Sequence, residues 1–169
     1  MTILDILNYP DPRLHKVASI VDEINSEIIS IVRDMTETMY AAPGIGLSAT
    51  QVNYHKKIII IDISEKKDDL LILINPEIVS SDGQQESQEG CLSVPGIYET
   101  VKRASEISIR ALNVDGDLIE FVADGKLSIC IQHEMDHLMG KVFVEYLSPL
   151  KKSRIKTKMI KKNKKFEAT

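Results

Sequence analysis

His133, Glu134 and His137 are the side chains of this 169-residue chain best placed to do chemistry together, in the run His133-Glu134-Met135-Asp136-His137. Residues four apart share one face of a helix, so in this H-E-x-x-H pattern both imidazoles reach one divalent ion without bending the backbone. Glu134 lies about 100° further round an ideal helix. That sets a carboxylate beside the ion, where it can exchange a proton with water without being a ligand. The run follows the apolar Ile129-Cys130-Ile131 and is expected to be buried. Two histidines and two carboxylates there are costly unless something pairs them. The competing reading, two core histidines hydrogen-bonded to Asp136 or to backbone, leaves Glu134 without a partner. Asp136 points elsewhere on the helix and reads as a supporting or ion-pairing residue.

A catalytic ion ordinarily takes three protein ligands and keeps a position for water. No histidine follows His137, and His15 and His55 sit in polar, turn-like surroundings that read as surface. Glu145 is available, but its Val-Phe-Val-Glu-Tyr stretch reads as a strand or sheet edge. Cys91, in Glu89-Gly90-Cys91-Leu92-Ser93, is the better candidate, because a glycine before it permits close backbone approach and a thiolate is a strong ligand. Cys130 is the rival thiol. Only three residues before His133 on the same helix, it reads as a pocket or core residue.

The elements that must position these groups are partly legible. Ile28, Ile31, Val32, Met35 and Met39 recur at helical spacing, which predicts a helix over 25–40 capped by Asn25 or Ser26. Pro43-Gly44 ends it, and Gly44 to Gln51 reads as a glycine-rich loop. Lys57 to Ile63 and Leu70 to Ile74 are short β-branched runs expected as buried strands, and Asn75-Pro76 opens an extended segment from Glu77 to Ser80. Alternation from Ser105, the turn signal Asp115-Gly116 and Leu118 to Val122 predict a hairpin. A helix through Leu127–Leu138 stopped by Gly140, and a last helix from Ser148-Pro149 to about Lys165, complete the pattern. Strands followed by helices, without alternation, indicate an α+β fold in a single domain, 1–169.

Composition narrows the class. The chain is 43% hydrophobic and 27% charged with a net charge of −4, enough for one buried core. No run of eighteen apolar residues occurs, and Met1-Thr2-Ile3-Leu4-Asp5 does not resemble a secretory signal, so no membrane span and a cytoplasmic location are expected. Two cysteines make no disulfide framework. No large exposed apolar stripe is foreseen, and a monomer is expected. Residues 1–150 hold 12 Lys and Arg against 24 Asp and Glu, whereas 151–169 hold nine against Glu167 alone. The basic segment reads either as a solvated helix or as an anchor to a polyanion such as RNA.

Three segments together resemble the bacterial peptide deformylases: Gly44-Ile45-Gly46-Leu47-Ser48-Ala49-Thr50-Gln51, Glu89-Gly90-Cys91-Leu92-Ser93 and Gln132-His133-Glu134-Met135-Asp136-His137. Asn75-Pro76, Ile109-Arg110-Ala111-Leu112 and Tyr146-Leu147-Ser148-Pro149-Leu150 extend the likeness over nearly the whole chain. The resemblance implies antiparallel or mixed sheets packed around a central helix carrying the H-E-x-x-H run, with a C-terminal helix. It implies that Cys91, His133 and His137 bind one divalent ion, Fe²⁺ first, with Zn²⁺ or Ni²⁺ as substitutes. It implies that Glu134 is the general base and acid, and that Gln51 and the Leu92 N–H polarise the substrate carbonyl. Ile45, Gly46, Glu89, Gly90, Leu92 and Cys130 are implied to lie near the bound peptide. The implied reaction removes the N-formyl group from the formyl-methionine of newly synthesised polypeptides and releases formate. The basic segment Lys151–Lys165 resembles a family helix that contacts the ribosome. Ser48 stands where the family usually shows alanine, and Gly96-Ile97-Tyr98 where some members carry an arginine close to the substrate.

Two other functions compete. An H-E-x-x-H endopeptidase would cleave backbone bonds without releasing formate. A nucleic-acid-binding module would close its metal site with a fourth protein ligand.

Overall fold

Four consecutive isoleucines, Ile58–Ile61, sit at the centre of the fold because their strand is covered on both faces. Ile59 and Ile61 face one apolar cluster and Ile58 and Ile60 another. The computed structural model describes residues 2–167. In chain order its main elements are α1 (Ser26–Ala41), β1 (Gly46–Ser48), β2 (Ile58–Ile61), β3 (Leu71–Asp82), β4 (Gln85–Cys91), β5 (Val94–Arg103), β6 (Glu106–Leu112), β7 (Leu118–Asp124), α2 (Gly125–Leu138) and α3 (Pro149–Glu167). Strands β1-β2-β3-β6-β7 form one antiparallel sheet, and β4 and β5 form a separate hairpin. The α+β class expected from the pattern is the one observed.

Helix α1 covers one face of the β2 region with Ile28, Val32, Met35 and Met39. Its start is capped as expected, with the Ile28 N–H donating to the Asn25 side chain at 3.1 Å. Helix α2 covers the other face. Its Cys130, Ile131 and Leu138 pack on Ile59, Ile61, Leu73, Ile107 and Ile109, which leaves His133, Asp136 and His137 turned toward the β4–β5 hairpin. Under that hairpin a third cluster gathers Val94, Ile97, Val101 and Phe143 with Ile155 and Met159 of α3. The C-terminal helix is therefore part of the core, not only a basic appendage. The last two residues of the basic extension, 168–169, lie outside the described residues.

Several expectations are corrected. Gly44 to Gln51 is not one loop: it contains β1 and a 3-10 turn over Ala49–Val52. The Glu145 stretch is a 3-10 turn, Phe143–Tyr146, rather than a strand. Strand β3 runs unbroken through Asn75-Pro76, with a register shift between Ile74 and Glu77. Pro76 has no N–H for the ladder there, and the Asn75 side chain bonds instead to the Val21 N–H at 2.8 Å and the Val21 carbonyl at 2.9 Å. Among the described residues, no helix is long and apolar enough to cross a membrane.

Candidate metal centre

Helix α2 presents His133 and His137 one turn apart, with ring centroids separated by 5.1 Å. Cys91, the last residue of β4, approaches them from the hairpin, its Sγ 3.3 Å from His137 Nε2. One ligand atom from each of Cys91, His133 and His137 lies within 4.8 Å of the others. His15 and His55 stand apart: His15 Nδ1 is 3.1 Å from the Gly140 carbonyl, and His55 Nε2 is 3.0 Å from that of Arg13. Glu145 pairs loosely with His15 at 3.6 Å. Cys130 is held as a thiol, because burial and then the charge of Glu134 push it up to about 12.

The donor set fits a divalent ion. A thiol with two imidazoles suits Fe²⁺, Ni²⁺ and Zn²⁺. Two buried polar atoms here, Glu134 Oε1 and His137 Nδ1, have no hydrogen-bond partner among the described residues, and burial without one is costly. Burial and the positive charges of His133 and Arg103 hold His137 well below the usual imidazole range, so it stays neutral. Burial lowers His133 as well, but its bonds to Cys91 and Glu89 and the charge of Glu134 outweigh that and raise it. So much negative charge around one buried ring is a surrounding that favours a cation.

Glu134 is buried at the edge of a cleft, 5% exposed. Burial raises its carboxyl to about 7, helped by Glu89 and opposed by His133 and Arg103. Its carboxylate packs against Gly46, where an added Cβ would collide with it. Gln51, from the 3-10 turn after β1, directs Nε2 to Ser93 Oγ at 3.0 Å and to Cys91 Sγ at 3.5 Å. Leu92 and Ser93 form the two-residue turn between β4 and β5, and the Ser93 N–H donates to Cys91 Sγ at 3.4 Å.

Gln51, Cys91, His133 and Glu134 open onto a cleft of about 760 Å³ lined also by Ile45, Gly46, Gly90 and Leu92. Glu89 and Cys130 do not line it. Cys130 is packed in the α2–sheet core. Glu89 is turned inward, where its Oε1 accepts from His133 Nδ1 at 2.8 Å and both carboxylate oxygens accept from Arg103. Arg103 also donates to Asp136 at 2.8 Å, which accepts from Tyr146 Oη at 2.7 Å. The supporting role read for Asp136 is the one observed. Arg103 carried no signal in the sequence, since its partners lie on other elements, and Tyr146 entered only within a segment of the family likeness. Gly96, Ile97 and Tyr98, where the resemblance places an arginine of some members close to the substrate, line the cleft, and so does Ile6, which the sequence did not single out. A second hollow of about 620 Å³ behind α2, bordered by Arg103, Asp136, Met139 and Tyr146, contains none of the three clustered ligands.

Known proteins resemble this chain in sequence and in fold. The profile of the family described as polypeptide deformylase matches residues 3–153. Peptide deformylase 2 of Nitrosomonas europaea is 63% identical over 161 residues, covering 95% of this chain and 87% of that protein. Peptide deformylase 1 of Burkholderia multivorans is 62% identical over 162 residues, covering 95% and 90%. The crystal structure of a peptide deformylase from Legionella pneumophila superposes with a TM-score of 0.93 at 42% identity, covering 99% of this chain and 98% of that one. That of the Ehrlichia chaffeensis peptide deformylase in complex with actinonin gives 0.92 at 37% identity, covering 96% and 98%. With sequence, fold and the convergence of thiol and imidazoles in agreement, this chain belongs to the polypeptide deformylase family.

Proposed function

We propose that the protein hydrolyses the formyl group from the N-terminal formyl-methionine of new polypeptides, releasing formate and a free amine. The observation that carries this is a Cys, His, His cluster within 4.8 Å beside a buried carboxyl and an open cleft.

Cys91, His133 and His137 would hold the ion, for which we propose Fe²⁺, with Zn²⁺ or Ni²⁺ as substitutes. When bound, a divalent ion supplies Lewis acidity, which acidifies water and polarises a carbonyl. Glu134 accepts a proton from water in the cleft and returns it to the departing amine, a task suited to a carboxyl raised to about 7. Oxygen from that water bonds to the formyl carbon, the C–N bond breaks, and formate leaves. Gln51 Nε2 and the Leu92 N–H donate to the carbonyl oxygen as it gains charge. Ile45, Gly46, Gly90 and Leu92 line the peptide path, whereas Glu89 serves through His133.

We further propose that residues 1–169 act as a single monomeric domain in the cytoplasm, on chains emerging from the ribosome. The exposed Lys156, Lys158, Lys161, Lys164 and Lys165 of α3 support a salt-sensitive ribosome contact.

The test is an assay of formate release from formyl-Met-Ala-Ser beside an unformylated protein substrate. Formate without backbone cleavage supports the reading, and backbone cleavage would favour an endopeptidase. A fourth protein ligand in metal spectroscopy, with no turnover, would favour a structural metal site. Activity lost in air and kept anaerobically supports Fe²⁺, whereas indifference to air points to Zn²⁺ or Ni²⁺.

A further inference from the structure

Ser48 closes β1 with its side chain fully buried, and Gln51 is 1% exposed three residues later. Gln51 Oε1 accepts from the Ser48 N–H at 3.0 Å and from the Ser48 hydroxyl at 3.1 Å. Gln51 Nε2 donates to Ser93 Oγ at 3.0 Å and to Cys91 Sγ at 3.5 Å. A carboxamide offers two acceptor lone pairs and two N–H donors, so all four positions are engaged. The group is planar. With one N–H fixed on Ser93, the other is aimed toward Cys91 and the cleft. That last bond is the longest of the four and the one an arriving carbonyl oxygen can most readily take over.

The backbone N–H of Ser48 already opposes a flipped carboxamide, because it would meet an NH₂ group. The hydroxyl adds two effects. It fills the second lone pair of Oε1, which the 1% exposed side chain offers little to solvent, and it polarises the amide so that Nε2–H becomes a stronger donor. Without it, Oε1 keeps one partner, and the terminal torsion of glutamine is intrinsically broad. We propose that Ser48 is a positioning residue for Gln51, its hydroxyl holding and polarising the carboxamide that donates to the substrate carbonyl. This rests on the deformylase reading of Gln51. Alanine keeps the Cβ of this fully buried residue and removes only the hydroxyl, so Ser48→Ala is expected to fold.

The experiment compares wild type, Ser48→Ala, Gln51→Ala and the double variant in formate release, and follows the Gln51 carboxamide protons by NMR in Zn²⁺-loaded protein. Ser48→Ala is expected to lower kcat about fivefold, the worth of one hydrogen bond, with KM unchanged. It should add nothing in the Gln51→Ala background, and the Gln51 carboxamide protons should exchange faster with solvent. An unchanged kcat, an effect on KM alone, the same loss in both backgrounds, or unaltered exchange would overturn the role of Ser48 while leaving the deformylase reading intact. Wild type that releases no formate would instead overturn that reading, and this proposal with it.

Discussion

Glu89 and His133 are joined by a hydrogen bond of 2.8 Å in which the carboxylate of β4 fixes the ring of α2. Burial raises the Glu89 carboxyl, but its bonds to His133 and Arg103 outweigh that and hold it below the usual carboxylate range. An ionised Glu89 can only accept, so His133 Nδ1 donates to it, and Nε2 is the ring nitrogen that would bind an ion.

Glu89→Gln should therefore weaken metal retention about 10–100-fold, read by competition with a chelator. Arg103→Leu should act on stability as well. It strands a buried carboxylate, at a cost of about 3–5 kcal/mol, and thermal unfolding measures that. Wild-type metal retention in Glu89→Gln would show that the bond does not tune the site.

The glycine at position 46 is required by packing. Gly46→Ala should displace the Glu134 carboxylate, because the new Cβ and that carboxylate claim the same space. Overpacking of this kind costs about 1–3 kcal/mol. Formate release should fall by more than the loss of folded protein explains. Full activity in folded Gly46→Ala would contradict the proposed proton transfer by Glu134.

Acid should loosen the cleft rim through Asp62. Burial raises its carboxyl, but bonds from Ser64, Tyr40 and the Asp69 N–H outweigh that and bring it down to about 2. Its N–H also donates to the Ile45 carbonyl at 2.8 Å. A carboxyl lower in the folded than in the unfolded chain stabilises fully above the unfolded value of about 3.9. That contribution is lost as pH falls through about 2. The gap in Tm between wild type and Asp62→Asn should be constant near neutrality and shrink between about pH 4 and pH 2. A gap unchanged down to pH 2 would refute the assignment.

Helix α3 separates two properties that its sequence blurs. Ile155 and Met159 are buried with Val94 and Ile97, so either change to alanine should cost about 2–5 kcal/mol. Replacing the exposed Lys158, Lys161 and Lys164 by Glu should leave stability within about 0.5 kcal/mol per residue. Those changes should abolish salt-sensitive ribosome association and spare hydrolysis of short formyl-peptides. Undiminished association would remove the proposed ribosome contact.

Periodicity made α1, α2 and the β6–β7 hairpin legible, because each sets apolar residues on one face at a regular step, and the Ser148-Pro149 pair marked the start of α3. Strands β4 and β5 were hidden for a physical reason. The inward positions of β4 include Ser87 and Glu89, and Glu89 is polar because it meets His133 rather than an apolar cluster, so the strand shows no apolar alternation. The clustered Cys91, His133 and His137 could be nominated from residue type and spacing. The shell behind them could not, since Arg103 meets Glu89 across the hairpin and Asp136 across to α2, contacts that only the fold creates.

The central claim is tested most directly by measuring bound metal and formate release together in anaerobically purified wild type, Cys91→Ala and Glu134→Ala. Wild type should carry one ion per chain and turn over, Cys91→Ala should lose the ion, and Glu134→Ala should retain it without turnover. An ion still held by Cys91→Ala, or undiminished formate release by Glu134→Ala, would contradict that claim.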